Sequence, residues 1–499
     1  MKILLVNPEF PETYWSFRHA LPFEGKRSVF PPLGLLTVSA LLPKSCERKL
    51  VDLNIESLTP AQLEWADMVF ITGMLVQKKS LHSVAAQAQA LGKTIVLGGP
   101  YVTSTIGELP HADHIFQGEA ETTLPQFFED IKRGEAKRVY KAPERPPMSI
   151  SPIPDFQIAN LKHYSCMSVQ YSRGCPFSCE FCDIIEIYGR VPRTKSNHQI
   201  LTEFEELKRI GWRGPLFIVD DNFIGNKKNV RHLLPELVAW QKKNGTPFSL
   251  LTEASVNLAD DEELLGNMRE ANFRRVFLGI ETPVEESLKE AQKSQNRGNL
   301  LDSVKRIQSY GMEVMAGFIV GFDNDPEDIF ERQIEFIRES AIPLAMVGML
   351  NALPDTQLWR RLEREGRLLG EDASGNNTVS TLNFVTKMDA ALLINGYQRI
   401  MKTIYKPREY YERVLDSLKR TTHDTAEPTP YTLIEGVRAL VKLVVKLGVV
   451  DTERREFWRF FIQALRNHHD RTTEWLRLAA MGYHFRKLND LYDAIESEG

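Results

Sequence analysis

Three cysteines lie close together in the middle of the chain and are the residues best suited to chemistry. Cys175, Cys179 and Cys182 follow the spacing C-x3-C-x2-C. Thiolates are the usual ligands of iron–sulfur clusters, and three on one loop can hold three irons of a [4Fe-4S] cluster. The fourth iron would then lack a protein ligand. An open position of this kind distinguishes catalytic from structural metal sites, so the motif predicts a catalytic cluster.

Two other uses of cysteine fit the sequence less well. A structural zinc site normally needs four ligands, but Cys166 lies nine residues before Cys175 and across a predicted strand, and His198 follows without zinc-finger spacing. Five cysteines in 499 residues are too few for a disulfide framework. We interpret Cys166 as a core residue and leave Cys46 unassigned.

A regular β/α alternation must position the cysteine loop, which directly follows the first of six apolar segments. A helical pattern separates each segment from the next, which is typical of parallel strands. We therefore expect a partial (β/α)6 barrel, with its chemistry at the carboxyl ends of the strands. The predicted strands cover residues 167–171, 216–219, 249–252, 276–280, 314–320 and 345–350.

The first 140 residues show a second alternation, with turn residues after each strand. Strands are expected at 3–6, 49–53, 68–72, 94–97 and 114–116, and helices at 33–42 and 80–91. This order predicts a doubly wound, flavodoxin-like parallel sheet. Ligands of such sheets bind outside the carboxyl ends of the strands. Those ends carry Asn7, Gly73, Gly98, Gly99 and Gly118.

Composition divides the rest of the chain. Five prolines between 141 and 156 indicate a partly extended linker. From about residue 388 the pattern is helical, without convincing strands. We expect four parts: a doubly wound domain (1–140), a proline-rich linker (141–165), a partial barrel (166–387) and an all-helical C-terminal region (388–499).

Charge and hydropathy exclude several classes of protein. The chain has 62 basic and 66 acidic residues, a net charge of -4, which does not favour a nucleic-acid partner. The N-terminus, MKILLVNPEF, is too short for the apolar core of a signal peptide. No apolar run approaches the ~18 residues that suggest a membrane span. These features predict a cytoplasmic enzyme.

The cysteine motif, with Phe181 before its third cysteine, resembles the signature of the radical S-adenosylmethionine (SAM) superfamily. Segments at four later strand ends, 220–223, 252–255, 279–283 and 317–321, resemble its SAM-contacting motifs in the same order. The resemblance implies that the reduced cluster cleaves SAM to a 5'-deoxyadenosyl radical, which abstracts hydrogen from an unactivated carbon. The SAM contacts that it implies are Phe181, Asp220, Asp221, Asn222, Glu253, Ser255, Glu281, Gly317, Ile319 and Gly321.

Each of the four acidic residues in this set has an alternative role, because a carboxylate at a strand end can cap the following helix. No catalytic acid or base can be assigned from the sequence.

The N-terminal domain resembles the cobalamin-binding domains that are fused to radical SAM barrels. The resemblance rests on residues 31–34, 51–54, 98–100 and 118–121. The Asp-x-His-x-x-Gly segment that supplies a histidine to cobalt in other cobalamin domains is absent, so we expect no such ligand. A domain that has lost cobalamin is the alternative. The cobalamin-binding residues that the resemblance implies are Asn7, Gly73, Met74, Gly98, Gly99, Pro100, Gly118 and Glu119.

Residues 8–17, residues 220–226 and the helical tail resemble a subgroup that includes the hopanoid C-2 methylase and is related to methylases of bacteriochlorophyll side chains. This implies a cobalamin-dependent, class B-like methyltransferase acting on an unactivated carbon of a hopanoid-like or tetrapyrrole substrate. The alternatives are radical cyclisation or oxidation of a lipid or macrocycle, and a non-enzymatic cobalamin sensor. Methylthiolation of transfer RNA would need three further N-terminal cysteines, and only Cys46 is present.

The expected partners are a small hydrophobic substrate and a reducing protein such as flavodoxin or ferredoxin. In the helical tail, Arg438, Lys442 and Lys446 recur at four-residue spacing among Leu and Val. This pattern fits the solvated side of a soluble helix, or peripheral contact with the inner face of a membrane. His468 and His469 are neighbours on a predicted helix and point to different faces, so we interpret them as surface residues.

Overall fold

The computed structural model describes residues 1–105, 109–296, 298–370, 373, 375–376, 382–422 and 427–498. It contains two six-stranded parallel sheets followed by helices. The predicted fold class, a doubly wound sheet, a partial barrel and a helical C-terminal region, is confirmed.

The N-terminal sheet has the strand order β2-β1-β3-β4-β5-β6, with every pair parallel. The order reverses between β1 and β3, which is the switch point of a doubly wound fold. Five strands match the predictions; β6 was not predicted because three residues are too few to show a pattern. The strands are β1 (Lys2–Asn7), β2 (Glu47–Asp52), β3 (Met68–Thr72), β4 (Thr94–Gly98), β5 (His114–Gln117) and β6 (Val139–Lys141).

Helices cover both faces of this sheet. Leu4 and Val6 of β1 enter one core, and Ile3 and Leu5 enter the other. Burial on both faces explains why β1 is a continuous apolar run rather than an alternating one. The helices are α1 (Leu21–Glu24), α2 (Leu33–Leu41), α3 (Pro60–Trp65), α4 (Lys78–Ala90), α5 (Pro100–Ser104) and α6 (Ala120–Arg133).

The proline-rich segment after β6 is packed against its surroundings. Met148 and Phe156 are buried, and the Ser39 hydroxyl donates to the Asp155 carboxylate at 2.8 Å. Short 3-10 turns at Met148–Ile150, Phe156–Ile158 and Leu161–His163 replace regular strand or helix.

The second sheet has the order β7-β10-β11-β12-β13-β14, again parallel throughout, so successive strands lie side by side as in an open barrel. The six main strands match the predicted segments. They are β7 (Met167–Val169), β10 (Gly214–Ile218), β11 (Phe248–Ala254), β12 (Phe273–Glu281), β13 (Glu313–Val320) and β14 (Leu344–Met349), and a short antiparallel pair is formed by β8 (Ser172–Arg173) and β9 (Arg193–Thr194).

Helices separate successive strands of the barrel. Most begin with a side-chain cap, such as Ser196 before α8 and Asp261 before α10. The helices are α7 (Ile184–Ile187), α8 (Asn197–Arg209), α9 (Lys227–Lys243), α10 (Glu262–Glu270), α11 (Glu285–Glu290), α12 (Leu300–Ser309), α13 (Ile329–Glu339) and α14 (Gln357–Arg364).

The C-terminal region is helical, as predicted. It comprises α15 (Ala390–Ile404), α16 (Pro407–Arg420), α17 (Leu433–Leu443), a π-helical segment (Val444–Val450), α18 (Arg454–Asn467) and α19 (Thr472–Glu498). In the part of the chain that the structure describes, none of these or the earlier helices combines the length and apolarity needed to cross a bilayer.

Candidate functional site

Side chains on the inner side of the barrel form layers along the strand direction. The parallel register places Phe217 beside Leu251, and Glu253 beside Phe277. One step nearer the carboxyl ends, Gly279 pairs with Gly317. Phe217, Leu251 and Phe277 form the apolar layer of the lumen, although Arg275 lies beside Leu251 and Glu313 beside Arg275. Glu253 lies level with Phe277, and Gly279 and Gly317 lie nearer the carboxyl ends.

The cysteine loop begins at Gly174, where only glycine fits. Its φ is +95°, and a Cβ there would lie 2.8 Å from the Gly189 carbonyl oxygen. The Cys175 amide donates to that same oxygen at 3.1 Å, and the Glu180 amide donates to the Ala291 carbonyl at 3.0 Å. These backbone bonds fix both halves of the loop.

Asp220 fastens the chain that leads into this loop. Its two carboxylate oxygens accept from the Tyr171 amide at 2.7 Å and from the Ser172 hydroxyl at 2.6 Å. The residue is completely buried, and burial raises its pKa to about 6 even though both hydrogen bonds oppose the shift. Through these two hydrogen bonds Asp220 holds the strand end that leads into the loop, while its contact with SAM, like that of Asp221, stays a prediction.

Polar donors surround the cysteine sulfurs. Asn222 Nδ2 lies 3.9 Å from Cys175 Sγ, and Gln295 Nε2 lies 3.4 Å from Cys179 Sγ. Hydrogen bonds to sulfur are one means by which proteins set the potential of iron–sulfur clusters. Burial raises the pKa of Cys175, and it raises the pKa of Cys182 strongly, so a bound cation is needed to hold these groups as thiolates.

The donor set fits a cluster better than a single ion. Among the described residues, no three Cys, His, Asp or Glu side chains converge as one metal ion would require. A [4Fe-4S] cluster instead takes one thiolate at each of several separate irons. Three cysteines on a backbone-fixed loop, with amide donors beside two of them, meet that requirement.

Carboxylates form the layer that faces this loop. Burial, with help from Asp220 and Asp183, raises the pKa of Asp221 to about 7, and Asp221 Oδ2 is buried without a hydrogen-bond partner. Burial, with Asp221 and Asp220 nearby, raises the pKa of Glu253 to about 8. Lys293 offsets only part of this effect on Glu253, and acidic groups held this close indicate a place for a positively charged ligand.

Glu281 is paired, in contrast to its acidic neighbours. Its carboxylate contacts Lys293 Nζ at 2.5 Å, and its backbone φ of +63° directs it there. Burial alone would lower the pKa of Lys293, but Glu281 and the thiols of Cys179 and Cys182 raise it above its usual value. Lys293 Nζ also lies 5.7 Å from the centre of the Phe181 ring. A buried cation therefore stands beside the cysteine loop.

The other predicted SAM contacts lie along the same edge. Asn222 and Ser255 bond to each other, with Asn222 Oδ1 accepting from the Ser255 amide at 3.2 Å. A Cβ on Gly317 would lie 3.1 Å from the Phe277 ring, and Gly321, at φ +103°, donates its amide to Asp325 at 2.8 Å. The Ile319 carbonyl accepts from Gln333 at 2.8 Å.

Sequence reasoning did not find Lys293 or Gln295. Both lie in a short loop after α11, and no spacing connects that loop to the cysteines. Gln295 is 116 residues from Cys179, so only the closure of the barrel brings these side chains together.

The carboxyl edge of the N-terminal sheet is lined by glycine. Gly99, at φ +94°, packs against Thr72, and Gly118, at φ +85°, has open space where a Cβ would be. Met74 is 53% exposed at the same edge, and Pro100 begins α5. Gly98 pairs with Thr72, and Gly73 accepts the Tyr101 amide.

Two of the residues expected to bind cobalamin have other partners. Asn7 is buried and donates to Asp52 at 2.9 Å. Glu119 contacts Arg173 at 2.6 Å and Arg193 at 2.5 Å. Asn7 and Glu119 therefore have partners within the protein, and their contact with cobalamin stays a prediction. Gly98, Gly99, Gly118 and Met74 are the more accessible residues of this edge, whereas Gly73 is buried.

The two sheets meet at their chemically important edges. Arg173 immediately precedes the cysteine loop, and it also contacts Glu121 at 2.8 Å. Helix α5 lies against α7, which follows Cys182. The glycine edge and the cysteine loop are therefore neighbours.

An N-terminal segment contributes aromatic residues to the apolar layer of the barrel. The ring of Trp15 lies 5.3 Å from Phe277 and 6.4 Å from Phe217, and Phe30 lies 5.2 Å from Phe217. Trp15 and Phe277 stay partly exposed. The lumen thus has an apolar wall next to its acidic layer.

Comparison with known proteins agrees with this geometry. The Radical SAM superfamily matches residues 169–337, and a domain of unknown function (DUF4070) matches residues 356–496. An uncharacterised methyltransferase of Synechocystis is 42% identical, over 98% of this chain and 92% of the relative. The hopanoid C-2 methylase of Rhodopseudomonas palustris is 35% identical, over 93% and 89%.

Two solved structures share the fold. The cobalamin-dependent radical SAM enzyme OxsB has a TM-score of 0.61 at 17% identity, covering 100% of this chain and 81% of its own. The radical SAM methyltransferase TsrM of Kitasatospora setae has a TM-score of 0.58 at 15% identity, covering 73% and 75%. With near-full-length relatives above 30% identity, the chain belongs to the radical SAM superfamily, in the methyltransferase family that contains the hopanoid C-2 methylase.

Proposed function

We propose that the protein is a cobalamin-dependent radical SAM methyltransferase that methylates an unactivated carbon of a hydrophobic molecule. The observation that carries this proposal is the order of three neighbouring features: a glycine-lined sheet edge, the cysteine loop, and an acidic then apolar barrel lumen. In this arrangement the methyl donor would lie beside the radical source, and the radical source beside the substrate.

Cys175, Cys179 and Cys182 would hold the [4Fe-4S] cluster, which supplies the electron for SAM cleavage when it is bound. Around it, Asn222 and Gln295 donate to sulfur, and Lys293 provides a buried positive charge. Asp221 and Glu253 would attract the positively charged part of SAM. Gly279 leaves room for the Glu281–Lys293 pair, and Gly317 leaves room for the Phe277 ring, so both glycines let these side chains pack at the proposed SAM site.

The glycine edge would hold cobalamin, which carries the transferable methyl group when it is bound. Gly73, Met74, Gly98, Gly99, Pro100 and Gly118 are the proposed lining. The fit is supported by the open space at Gly118 and by the exposed thioether of Met74. The related OxsB and TsrM structures were determined with cobalamin bound, and their shared fold supports the same placement.

The substrate proposal follows from the apolar layer. Trp15, Phe30, Phe217 and Phe277 offer aromatic surface and no charge, so they suit a hydrocarbon or macrocycle skeleton. Their position next to Glu253 would bring one carbon of the substrate near SAM while the aromatic rings exclude water. Hopanoid-like lipids and tetrapyrroles both satisfy this chemistry.

Three further statements belong to the same proposal. Electrons would come from a small reducing protein such as flavodoxin or ferredoxin, because the reaction consumes a low-potential electron. The enzyme would act in the cytoplasm. It would also contact the inner face of the membrane peripherally, where a lipidic substrate resides.

Mass analysis of the product tests the proposal. Purified protein with reconstituted cluster, cobalamin, SAM and a chemical reductant is incubated with hopanoid and tetrapyrrole substrates. We expect one product to gain the mass of a CH2 unit, with the added methyl traceable to labelled SAM. A product altered only by loss of hydrogen would contradict methyl transfer and favour radical cyclisation or oxidation.

A further inference from the structure

The largest concentration of exposed apolar side chains lies far along the chain from the cysteine loop, on a helical hairpin. The hairpin consists of α17, the π-helical segment and α18. Of the twenty large hydrophobic residues that are exposed in the described part of the chain, ten lie between 433 and 465. Soluble surfaces rarely gather so many apolar side chains in one place, so this hairpin is a candidate interaction surface.

The apolar residues of the first arm form one stripe. Leu433, Val437, Val441, Val445 and Val449 recur every four residues, and Leu433 is 85% exposed. Four residues make slightly more than one turn of an α-helix, so a longer stripe would drift around the helix. The π-helical segment has wider turns and corrects this drift, which keeps Val445 and Val449 in line with the earlier residues.

The second arm extends the same kind of surface. Trp458, Ile462 and Leu465 are exposed at helical spacing on α18. The Trp458 indole donates to the Gly448 carbonyl at 2.9 Å, and its ring would lie 3.0 Å from a Cβ at Gly448. This contact ties α18 to the π-helical segment and leaves one edge of the tryptophan outward.

Basic residues border the apolar ones. On the first arm each of Arg438, Lys442 and Lys446 directly follows a stripe residue and therefore lies to one side of it. Between 433 and 466, seven basic residues are exposed and only two acidic ones, Glu435 and Glu453. The seven are Arg438, Lys442, Lys446, Arg454, Arg455, Arg459 and Arg466. The chain as a whole is acidic, so this local excess is specific to the hairpin.

We propose that the α17–α18 hairpin is a membrane-docking surface that inserts its valine stripe into the headgroup region of an anionic lipid bilayer. An apolar stripe bordered by cations, with tryptophan at the margin, matches the chemistry of that region. Binding to a second copy of this chain fits less well, because a self-complementary contact would bring Arg455 and Arg459 towards like charges.

The hairpin is also connected to the barrel lumen. Lys442 Nζ donates to the Pro22 carbonyl at 3.1 Å, and α1 packs against α17. Pro22 comes seven positions after Trp15, whose ring lies on the apolar layer. Docking through α17 would therefore hold the bilayer near the segment that lines the proposed substrate site. Docking requires neither SAM nor cobalamin, so it can be tested independently of the proposed function.

Vesicle flotation of the full chain tests the proposal. The vesicles are phosphatidylcholine alone, or phosphatidylcholine with phosphatidylglycerol as the anionic lipid. We expect the protein to float with the anionic vesicles and to bind the neutral ones at least roughly tenfold less. V441D/V445D and R455E/R459E should each weaken anionic binding by about tenfold or more.

A matched control separates this surface from general hydrophobicity. Leu91 is exposed on the N-terminal domain, and L91D should bind like the unaltered chain. All four altered positions of the test variants are on the surface, so circular dichroism should be unchanged. Equal flotation of all variants, or no flotation of the unaltered chain, would overturn the proposal. A dimer by light scattering that V441D/V445D splits, without vesicle binding, would assign the face to a second copy instead.

Discussion

Arg173, the residue that leads into the cysteine loop, contacts Glu119 of the N-terminal sheet at 2.6 Å. Glu119 is buried and Arg173 largely so, and Arg193 and Glu121 complete a network of two cations and two anions. The loop that would hold the cluster and the sheet that would hold cobalamin are thus joined by charge. If the cysteine loop moved relative to the N-terminal sheet, the sheet would have to move with it, because otherwise a buried charge would lose its partner.

Removing one member of this network should therefore destabilise the protein strongly. We expect E119A to lower the free energy of unfolding by about 3 kcal/mol, because it leaves Arg173 and Arg193 buried with one partner fewer. Urea denaturation measures the effect. E129A, on the exposed side of α6, is the matched control and should stay near the unaltered chain. Equal stabilities of the two variants would contradict the role of the network.

Substitutions of Asp220 and Asp221 should have different effects. D220N removes one acceptor from the Tyr171 amide or the Ser172 hydroxyl and should cost about 1–3 kcal/mol, with a lower iron content after reconstitution. D221N loses no hydrogen bond through Oδ2 and should keep its iron while binding SAM more weakly. Denaturation, iron analysis and calorimetry distinguish the two. A stable, iron-replete D220N protein would refute the positioning role.

Lys293 should influence the cluster through its charge. K293M removes a buried cation near Cys179 and Cys182, so the reduced cluster loses stabilisation and its potential falls. The expected shift is on the order of 50 mV to the negative side, close to one tenfold change in a one-electron equilibrium. Redox titration followed by electron paramagnetic resonance measures it. K289M changes an exposed lysine of α11 and serves as the control; equal potentials in both variants would be inconsistent with this role.

Glu253 makes the stability of the cluster-free protein depend on pH. Its pKa is about 8 in the folded chain and near 4.5 when unfolded, so the folded state holds the proton more tightly. Stability is therefore fully retained below the unfolded value and declines as pH rises towards the folded one. E253Q should be more stable than the unaltered chain at pH 8 by about 2 kcal/mol, and this advantage should vanish near pH 4.

Denaturation at several pH values measures this difference. E263Q alters an exposed glutamate of α10 and should follow the unaltered chain throughout. An E253Q curve parallel to that of the unaltered chain would show that Glu253 is not held in an unfavourable environment.

The fold was predictable because its patterns are local. Strands such as Met68–Thr72 are continuous apolar runs followed by turn residues, so a few consecutive positions are enough to predict each one. The three residues of β6 are too few to show such a pattern. The π-helical segment at Val444–Val450 was likewise invisible, since its residues are as apolar as those of an α-helix.

The sequence predicted functional residues only where they lie close together along the chain. The three cysteines lie within one loop, so their spacing reveals them. Lys293 reaches Glu281 from another element, and Glu119 reaches Arg173 across 54 residues. Glu119 is predicted at the cobalamin site from the resemblance of residues 118–121, but its charge pair with Arg173 depends on tertiary structure and could not be predicted from the sequence.

The most direct test of the account is the pair of products that SAM yields. Protein with reconstituted cluster and cobalamin is incubated anaerobically with reductant, substrate and SAM, and the nucleosides are separated by chromatography. We expect both 5'-deoxyadenosine and S-adenosylhomocysteine from the unaltered chain, and no 5'-deoxyadenosine from C175A. 5'-Deoxyadenosine formed by C175A, or 5'-deoxyadenosine without S-adenosylhomocysteine while substrate is consumed, would contradict a radical methyltransferase built on this loop.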